Sequence, residues 1–196
     1  FPYTTLFRSE APVASLLRNE DVIGIMPTGA GKSICFQIPA LCKAGLTIVF
    51  SPLISLMKDQ VDGLLVQNIP AALINSTLTQ AEFNKTMYEV RSGKIKLLYI
   101  APERLGSNFF CNVLRALPIA QVIVDEAHCI SEWGHDFRPS YRLIGEWLNS
   151  LPKRPIVGAF TATATKYVEN DIKKLLGLDK ANVYVTGFDR PNLSFS

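Results

Sequence analysis

The sequence has few of the residues that usually build metal or redox sites. It holds two histidines, three methionines and two tryptophans, and its four cysteines (Cys35, Cys42, Cys111 and Cys129) form no C-x-x-C pair. That excludes a zinc ribbon, a thioredoxin-type redox motif and a small secreted fold closed by disulfides. The thiols read as reduced core residues. No apolar run approaches the roughly 18 residues that span a bilayer, and no charged, apolar and small-residue series opens the chain as in a signal peptide. An intracellular, cytoplasmic protein with no membrane contact is expected. Charge of one sign is also lacking. The 20 Lys and Arg against 17 Asp and Glu leave a net charge of +3, too little to mark a nucleic-acid binder by bulk attraction, so any such contact must come from a local patch. There is no internal repeat, low-complexity tract or linker, and 196 residues suffice for one domain with a sizeable core.

The first nine residues, FPYTTLFRS, stand apart. They match, residue for residue, one reading frame of a common sequencing-library adapter, TTT CCC TAC ACG ACG CTC TTC CGA TCT. Residues 1–9 are therefore expected to be a translated artefact, and residues 10–196 the domain, with the natural chain beginning further upstream.

From Glu10 onward, short apolar runs alternate with longer amphipathic stretches. The runs at 22–26, 46–50, 71–74, 96–100, 121–125, 155–160 and 182–185 are rich in β-branched or aromatic residues, which suits strands buried on both faces. Helices are expected near 32–43, 53–67, 79–92, 104–116, 140–150 and 164–176, with Thr79 capping the third and Gly177 stopping the last. Such alternation predicts a single α/β domain with a mainly parallel sheet and helices on both faces.

MPTGAGKS, residues 26–33, follows the first strand and opens the first of these helices. In that position the amides of Gly29, Ala30, Gly31, Lys32 and Ser33 can converge on phosphate oxygens at a positive helix end. Lys32 supplies charge for the β- and γ-phosphates of ATP, and the Ser33 hydroxyl a ligand for Mg²⁺. Met26 stands where the strict G-x-x-x-x-G-K-[ST] pattern has its first glycine, so the stretch, from Thr28, fits the T-G-x-G-K-[ST] variant seen in helicases. An acid at the end of another strand should complete such a site. QVIVDEAH supplies it, with Asp125 placed to hold Mg²⁺ and Glu126 to orient the water that attacks the γ-phosphate. A switch GTPase would need N-K-x-D, and NKTM at 84–87 lacks the aspartate.

Both histidines, His128 and His135, fall beside Trp133, Phe137, Arg138, Tyr141 and Arg142. Aromatic faces stack on unpaired bases and arginines pair with phosphates, the combination expected of sequence-tolerant single-strand binding. The alternatives are aromatic packing under a loop, or a metal site of His128, Cys129 and His135 that lacks a fourth ligand. In SPLISLMKDQV (51–61), Ser51 lies at a strand end where α/β sheets bind ligands, and Lys58 is either a phosphate contact or a solvated helix residue. Arg104 after APE has the same ambiguity. Thr163 or Thr165 of TATAT can cap a helix.

MPTGAGKS, SPLISLMKDQV, APERL (101–105), DEAHCISEWGHDFRPSY (125–141), AFTATAT (159–165) and FDRPNL (188–193) resemble, in order and spacing, the motifs of the RecQ family of superfamily 2 DNA helicases. CISEWGHDFRPSY is the most specific of them, because generic DEAD- and DEAH-box RNA helicases lack it. The resemblance implies a first RecA-like P-loop domain driving 3′ to 5′ movement along single-stranded DNA with Mg-ATP, at duplex/single-strand junctions, in a nucleoid-associated protein of repair or recombination. It further implies that His128, Thr161 and Thr163 couple the two sites, and that Ser51, Lys58, Arg104, Trp133, His135, Phe137 and Arg138 contact DNA. Members carry an adenine-reading glutamine upstream of EAPVASLLRNEDV, where FPYTTLFRS now stands, so Phe7 and Arg8 are not expected to replace it. They also carry a second RecA-like domain with an arginine finger, expected beyond Ser196. The competing readings are an RNA helicase, a double-strand translocase, and a nucleotide- or DNA-binding module without turnover. Preference for RNA, DNA-stimulated ATPase without strand separation, and absence of turnover would mark them respectively.

Overall fold

The computed structural model describes residues 3–186, with side chains from Ser9 onward, so FDRPNL lies outside the described residues. Seven strands, β1 (Val22–Ile25), β2 (Leu46–Phe50), β3 (Ala71–Ile74), β4 (Leu97–Ile100), β5 (Ile119–Val124), β6 (Ile156–Thr161) and β7 (Asn182–Val185), form one sheet in the order β3-β4-β2-β5-β6-β1-β7. Every pairing is parallel. Seven α-helices connect or precede them: α1 (Tyr3–Leu17), α2 (Lys32–Cys42), α3 (Ile54–Val66), α4 (Gln80–Arg91), α5 (Asn108–Arg115), α6 (Arg142–Asn149) and α7 (Lys166–Leu176). None is long and apolar enough to cross a membrane.

Strand side chains alternate between two cores, as the two-residue period of a strand requires. On one face Ile48, Phe50, Leu98, Ile100, Val122 and Val124 pack with residues of α4 to α7, among them Phe83, Phe110, Trp147 and Ile172. On the other, Val49, Leu97, Tyr99 and Ile123 pack with Leu16, Phe36, Met57 and Val61 of α1 to α3. The expected α/β architecture is therefore present, with each expected strand within two residues of its observed bounds. Thr79 caps α4 through a reciprocal capping box with Glu82, and Gly177 stops α7 at φ 65°.

Three expectations need correction. A helix not foreseen, α1, spans Tyr3–Leu17 with Pro12 inside it. The helix expected at 104–116 is divided: a 3₁₀ turn at Pro102–Gly106 precedes α5, because Ser107 turns the chain and its hydroxyl accepts the amide of Phe110. The helix expected at 140–150 likewise opens with a 3₁₀ turn at Pro139–Tyr141. In the TATAT segment Thr165 is the cap of α7, accepting from the Val168 amide at 3.3 Å.

Neighbouring strands β1 and β6 send their helices to opposite faces, α2 to one and α7 to the other. Such a reversal opens a crevice at the carboxyl ends of the strands, the usual ligand position in open α/β sheets. All three loops of chemical interest, after β1, β5 and β6, leave the sheet there.

Two glycine substitutions test the packing with opposite signs. A Cβ at Gly145 of α6 would lie 2.0 Å from the Leu175 carbonyl oxygen of α7, whereas one at Gly63 of α3 meets nothing within 4 Å. Gly145→Ala is expected to destabilise the fold by about 1–3 kcal/mol through overpacking. Gly63→Ala should stabilise it by about 0.5–1 kcal/mol, by removing backbone freedom from an exposed helix interior. Urea unfolding midpoints of the two variants should fall on either side of the parent's.

Candidate nucleotide and nucleic-acid site

The loop after β1 is built to expose amides. Met26 is fully buried, and its amide donates to the Thr161 carbonyl at 2.9 Å, so pairing with β6 runs one residue past β1. This explains the missing first glycine: position 26 belongs to the core, and the turn starts at Pro27. Gly29 (φ 81°) and Gly31 (φ 85°) then take left-handed backbone. Gly31 caps α2 without any side-chain hydrogen bond, so the first-turn amides, including those of Lys32 and Ser33, keep the free donors of a helix start. Thr28 and Gly29 are exposed, and Ala30 and Ser33 half-buried.

The acids stand at the end of β5. The Asp125 carboxylate accepts from the Glu126 amide at 3.0 Å and is buried. Glu126 has φ 47°, left-handed backbone that a glutamate rarely adopts and that costs on the order of 1–2 kcal/mol. Its carboxylate reaches Lys32 Nζ at 3.4 Å on one oxygen and His128 Nδ1 at 3.3 Å on the other.

His128 Nδ1 also meets Thr161 Oγ1 at 2.8 Å, and Thr161 Oγ1 lies 3.1 Å from the Thr163 carbonyl. A carbonyl accepts only, so the threonine proton goes to Thr163 and the imidazole must donate to Thr161. The hydrogen-bond pattern therefore places the histidine proton on Nδ1, shared toward Glu126. Lys32, Glu126, His128, Thr161 and Thr163 thus form one chain of contacts, joining three loops.

Charges in the crevice are unevenly tuned. Burial pushes the Asp125 carboxyl up to about 6, the neighbouring Glu126 carboxylate adds to the rise, and Lys32 opposes it. Burial also pushes Glu126 up, but the His128 hydrogen bond and the Lys32 ammonium together outweigh it and hold the group below the usual carboxylate range. Free amides, a lysine, a hydroxyl and a buried acid poised to ionise fit a phosphate chain with its divalent cation. Asp125 and Ser33 are the residues suited to that cation.

The aromatic block beyond the acids divides. Trp133 is 76% exposed, which removes the packing alternative for it, and its ring lies 6.3 Å from that of Tyr167. Phe137 is half-buried beneath the Arg142 guanidinium at 5.2 Å. The exposed ring of His135 stacks on His128 at 4.3 Å with planes 15° apart. Imidazole lone pairs lie in the ring plane, so two stacked rings cannot converge on one ion, and the geometry disfavours the His128, Cys129 and His135 metal site. Burial also pushes the Cys129 thiol up to about 12, far from a thiolate ligand. Arg138 donates to the Pro52 carbonyl at 2.8 Å and pairs with Asp136 at 3.1 Å, tying the block to the strand end that bears Ser51.

Ser51 is buried, and its hydroxyl has no partner among the described residues. Lys58 is exposed on α3. Arg104 stands outside the chain of contacts at the acids: its guanidinium lies 5.5 Å from the Phe83 ring centre and 5.0 Å from that of Phe110. Tyr141, grouped by sequence with the stacking aromatics, is fully buried and offers no face to a base; its hydroxyl instead donates to the Asp125 carbonyl at 2.9 Å. One contributor escaped the sequence reading. A Cβ at Gly134 would come within 2.5 Å of the His128 carbonyl oxygen, so a glycine lets the block fold back on the histidine. Only the position of Gly134 within a turn-like WGHD hints at this.

A parallel sheet with a lysine loop and an acid pair at its switch point defines a RecA-like P-loop domain. The chain belongs to the DEAD/DEAH box helicase family, whose model matches residues 10–171. Within that family its relatives are RecQ helicases. It is 54% identical over 171 residues to the ATP-dependent DNA helicase RecQ of Bacillus subtilis, covering 87% of this chain and 29% of that protein. With the RecQ of Pasteurella multocida it shares 46% over 187 residues, covering 95% and 29%. The chain thus spans under a third of the length of either relative. Among solved structures, the fold is similar to the Pyrococcus furiosus Hef helicase domain (TM-score 0.69, 18% identity, 89% of this chain and 36% of that one). It is also similar to the helicase MrfA bound to DNA (TM-score 0.72, 14% identity, 91% and 25%).

The raised Asp125 value sets a pH dependence. Its folded-state value lies above the unfolded one, so the stability this group contributes is full below about pH 4 and is lost as pH rises through about 6. Asp125→Asn should therefore stabilise the protein by about 2–3 kcal/mol at pH 8 and by nothing near pH 4. Thermal melts of both proteins across that range check it, and a constant difference would contradict the assignment.

Proposed function

We propose that this domain is the ATP-binding and single-stranded-DNA-contacting motor of a 3′ to 5′ DNA helicase. The observation that carries the reading is the contact chain Lys32–Glu126–His128–Thr161, in which one glutamate faces the phosphate loop on one side and the aromatic block on the other. The names of the relatives, ATP-dependent DNA helicases, favour DNA over RNA.

Lys32 and Glu126 form an ion pair. An incoming triphosphate offers Lys32 a stronger partner, and the amides of Gly29, Gly31, Lys32 and Ser33 surround its oxygens, whereas that of Ala30 already donates to the Pro27 carbonyl. Glu126 is then released from the lysine but still held by His128, oriented to accept a proton from the attacking water. Ser33 and Asp125 are the residues that would hold Mg²⁺, which would supply positive charge against the phosphate chain. Trp133, His135, Phe137 and Arg138 take the nucleic acid, joined by Lys58, exposed on α3, and by Arg104 of the 3₁₀ turn after β4; Ser51, buried at the end of β2, reaches it only if that strand end opens. His135 stacks directly on His128, so a strand that shifts His135 also shifts the group holding Glu126.

Lys32→Ala should abolish phosphate-dependent nucleotide binding in a titration with a fluorescent ATP analogue. Unchanged affinity would rule out the phosphate loop. Glu126→Gln should bind the analogue at near-parental affinity yet turn over ATP at least about 10²-fold more slowly. Normal hydrolysis would move the base elsewhere.

In this class an arginine from a second domain meets the charge on the γ-phosphate and is worth about 10³ to 10⁵ in rate. Residues 3–186 form one sheet, so the 196-residue chain alone should bind Mg-ATP weakly, hydrolyse it barely above background and unwind nothing. Turnover of this chain, measured with and without single-stranded DNA, decides it. Rapid DNA-stimulated hydrolysis would overturn the need for a second domain.

A further inference from the structure

Trp133 and Tyr167 come from different elements, the loop after β5 and the first turn of α7, yet their rings lie 6.3 Å apart with planes tilted by 39°. They are 76% and 74% exposed. Two large aromatics that approach each other and remain uncovered are not serving a core.

What lies beneath them is ordered. Ser131 Oγ donates to Asp171 Oδ2 at 2.6 Å and accepts the Trp133 amide at 3.2 Å. Asp171 lies one helical turn after Tyr167, on the same face of α7. One α7 face thus presents a ring to Trp133 and, a turn later, a carboxylate that fixes the backbone carrying Trp133. The helix itself starts at the Thr165 cap, four residues after Thr161, which bonds His128. Both rings are therefore connected to His128, Trp133 through its own loop and Tyr167 through the TATAT segment.

We infer that Tyr167 is a second stacking residue which, with Trp133, holds one unpaired base of the single strand. The occupant follows from chemistry at hand: two flat π-faces for a base, with Arg138 and Arg142 in the same block for phosphates. Duplex DNA keeps its base faces stacked inside and offers these rings none. The inference rests on the proposed function and adds a residue outside the motifs that support it. A strand seated on both rings would load β6 through α7 as well as β5 through the loop, so two routes would report its presence to His128.

The test uses the 196-residue chain and a fluorescein-labelled deoxythymidine oligomer at low salt, where phosphate attraction is strongest. Binding is read by anisotropy and by quenching of tryptophan emission, which reports Trp133 because Trp147 is 3% exposed. Tyr167→Ala should weaken binding on the order of fivefold, the low end of what one stacked base contributes, and should reduce the quenching. Tyr167→Phe should bind like the parent. Trp133→Ala combined with Tyr167→Ala should lose less than the product of the single losses, because both rings serve one base. Parental binding by Tyr167→Ala, failure of phenylalanine to substitute, or a multiplicative double loss would each overturn the inference. If Trp133→Ala itself binds like the parent, the single-strand reading of the whole block falls, and this inference with it.

Discussion

Thr161 is the residue on which the crevice depends. Its strand, β6, lies between β1 and β5, so the strands that carry the phosphate loop and the acid pair do not pair with each other and are registered through it. The Thr161 carbonyl receives the Met26 amide at the foot of the phosphate loop, while its hydroxyl receives His128 and donates to Thr163. One fully buried residue, through its backbone carbonyl and its side-chain hydroxyl, therefore holds the loop after β1 and the histidine after β5 relative to each other. Any displacement of the segment 161–165 reaches both, and the same displacement is passed to α7 through its Thr165 cap.

The charges held in that frame oppose the fold. Two adjacent carboxylates end one strand, one of them buried, and Glu126 sits in left-handed backbone besides. Burial and mutual repulsion raise Asp125, so near neutral pH its ionised form stands against low-dielectric surroundings. A protein gains no stability from such an arrangement. On the proposed function, a divalent cation and a phosphate chain held there would offset that cost. Tyr141 and Gly134 belong to the same logic, the first bracing the Asp125 carbonyl and the second admitting the block close to His128.

Much of this was legible in the sequence where a local rule decides the outcome. Strands buried on both faces show as β-branched runs, and the Thr79 and Gly177 helix ends show as cap residues, because each depends on neighbours within a few positions. The lysine loop and the acid pair were legible for the same reason. The 15-residue helix α1 was not, since its first half falls in the stretch set aside as an adapter match, and the rest carries Pro12 and no basic last turn to mark its end. The roles of Tyr141, Ser131 and Asp171 depend on partners 16 to 40 positions away and leave no periodic trace. Met26 misled in the opposite way. It reads as a defect in a glycine motif, whereas the strand pairing beside it makes that position part of the core.

The arginines of the aromatic block are already paired within the fold. Arg138 is paired with Asp136 and bonded to the Pro52 carbonyl, and Arg142 is paired with Glu132 at 2.6 Å. These pairs are partly exposed and so contribute little to stability. A nucleic-acid phosphate can displace the acids at small expense, and a phosphate bound by Arg138 draws on the same guanidinium that holds the end of β2 near Ser51. Trp133, by contrast, has no such competitor in solvent and is available at once. The block therefore separates two tasks. On the proposed function, base stacking would capture a strand without rearrangement, whereas phosphate pairing would require the loop to reorganise, and that loop shares its backbone with His128, which holds Glu126.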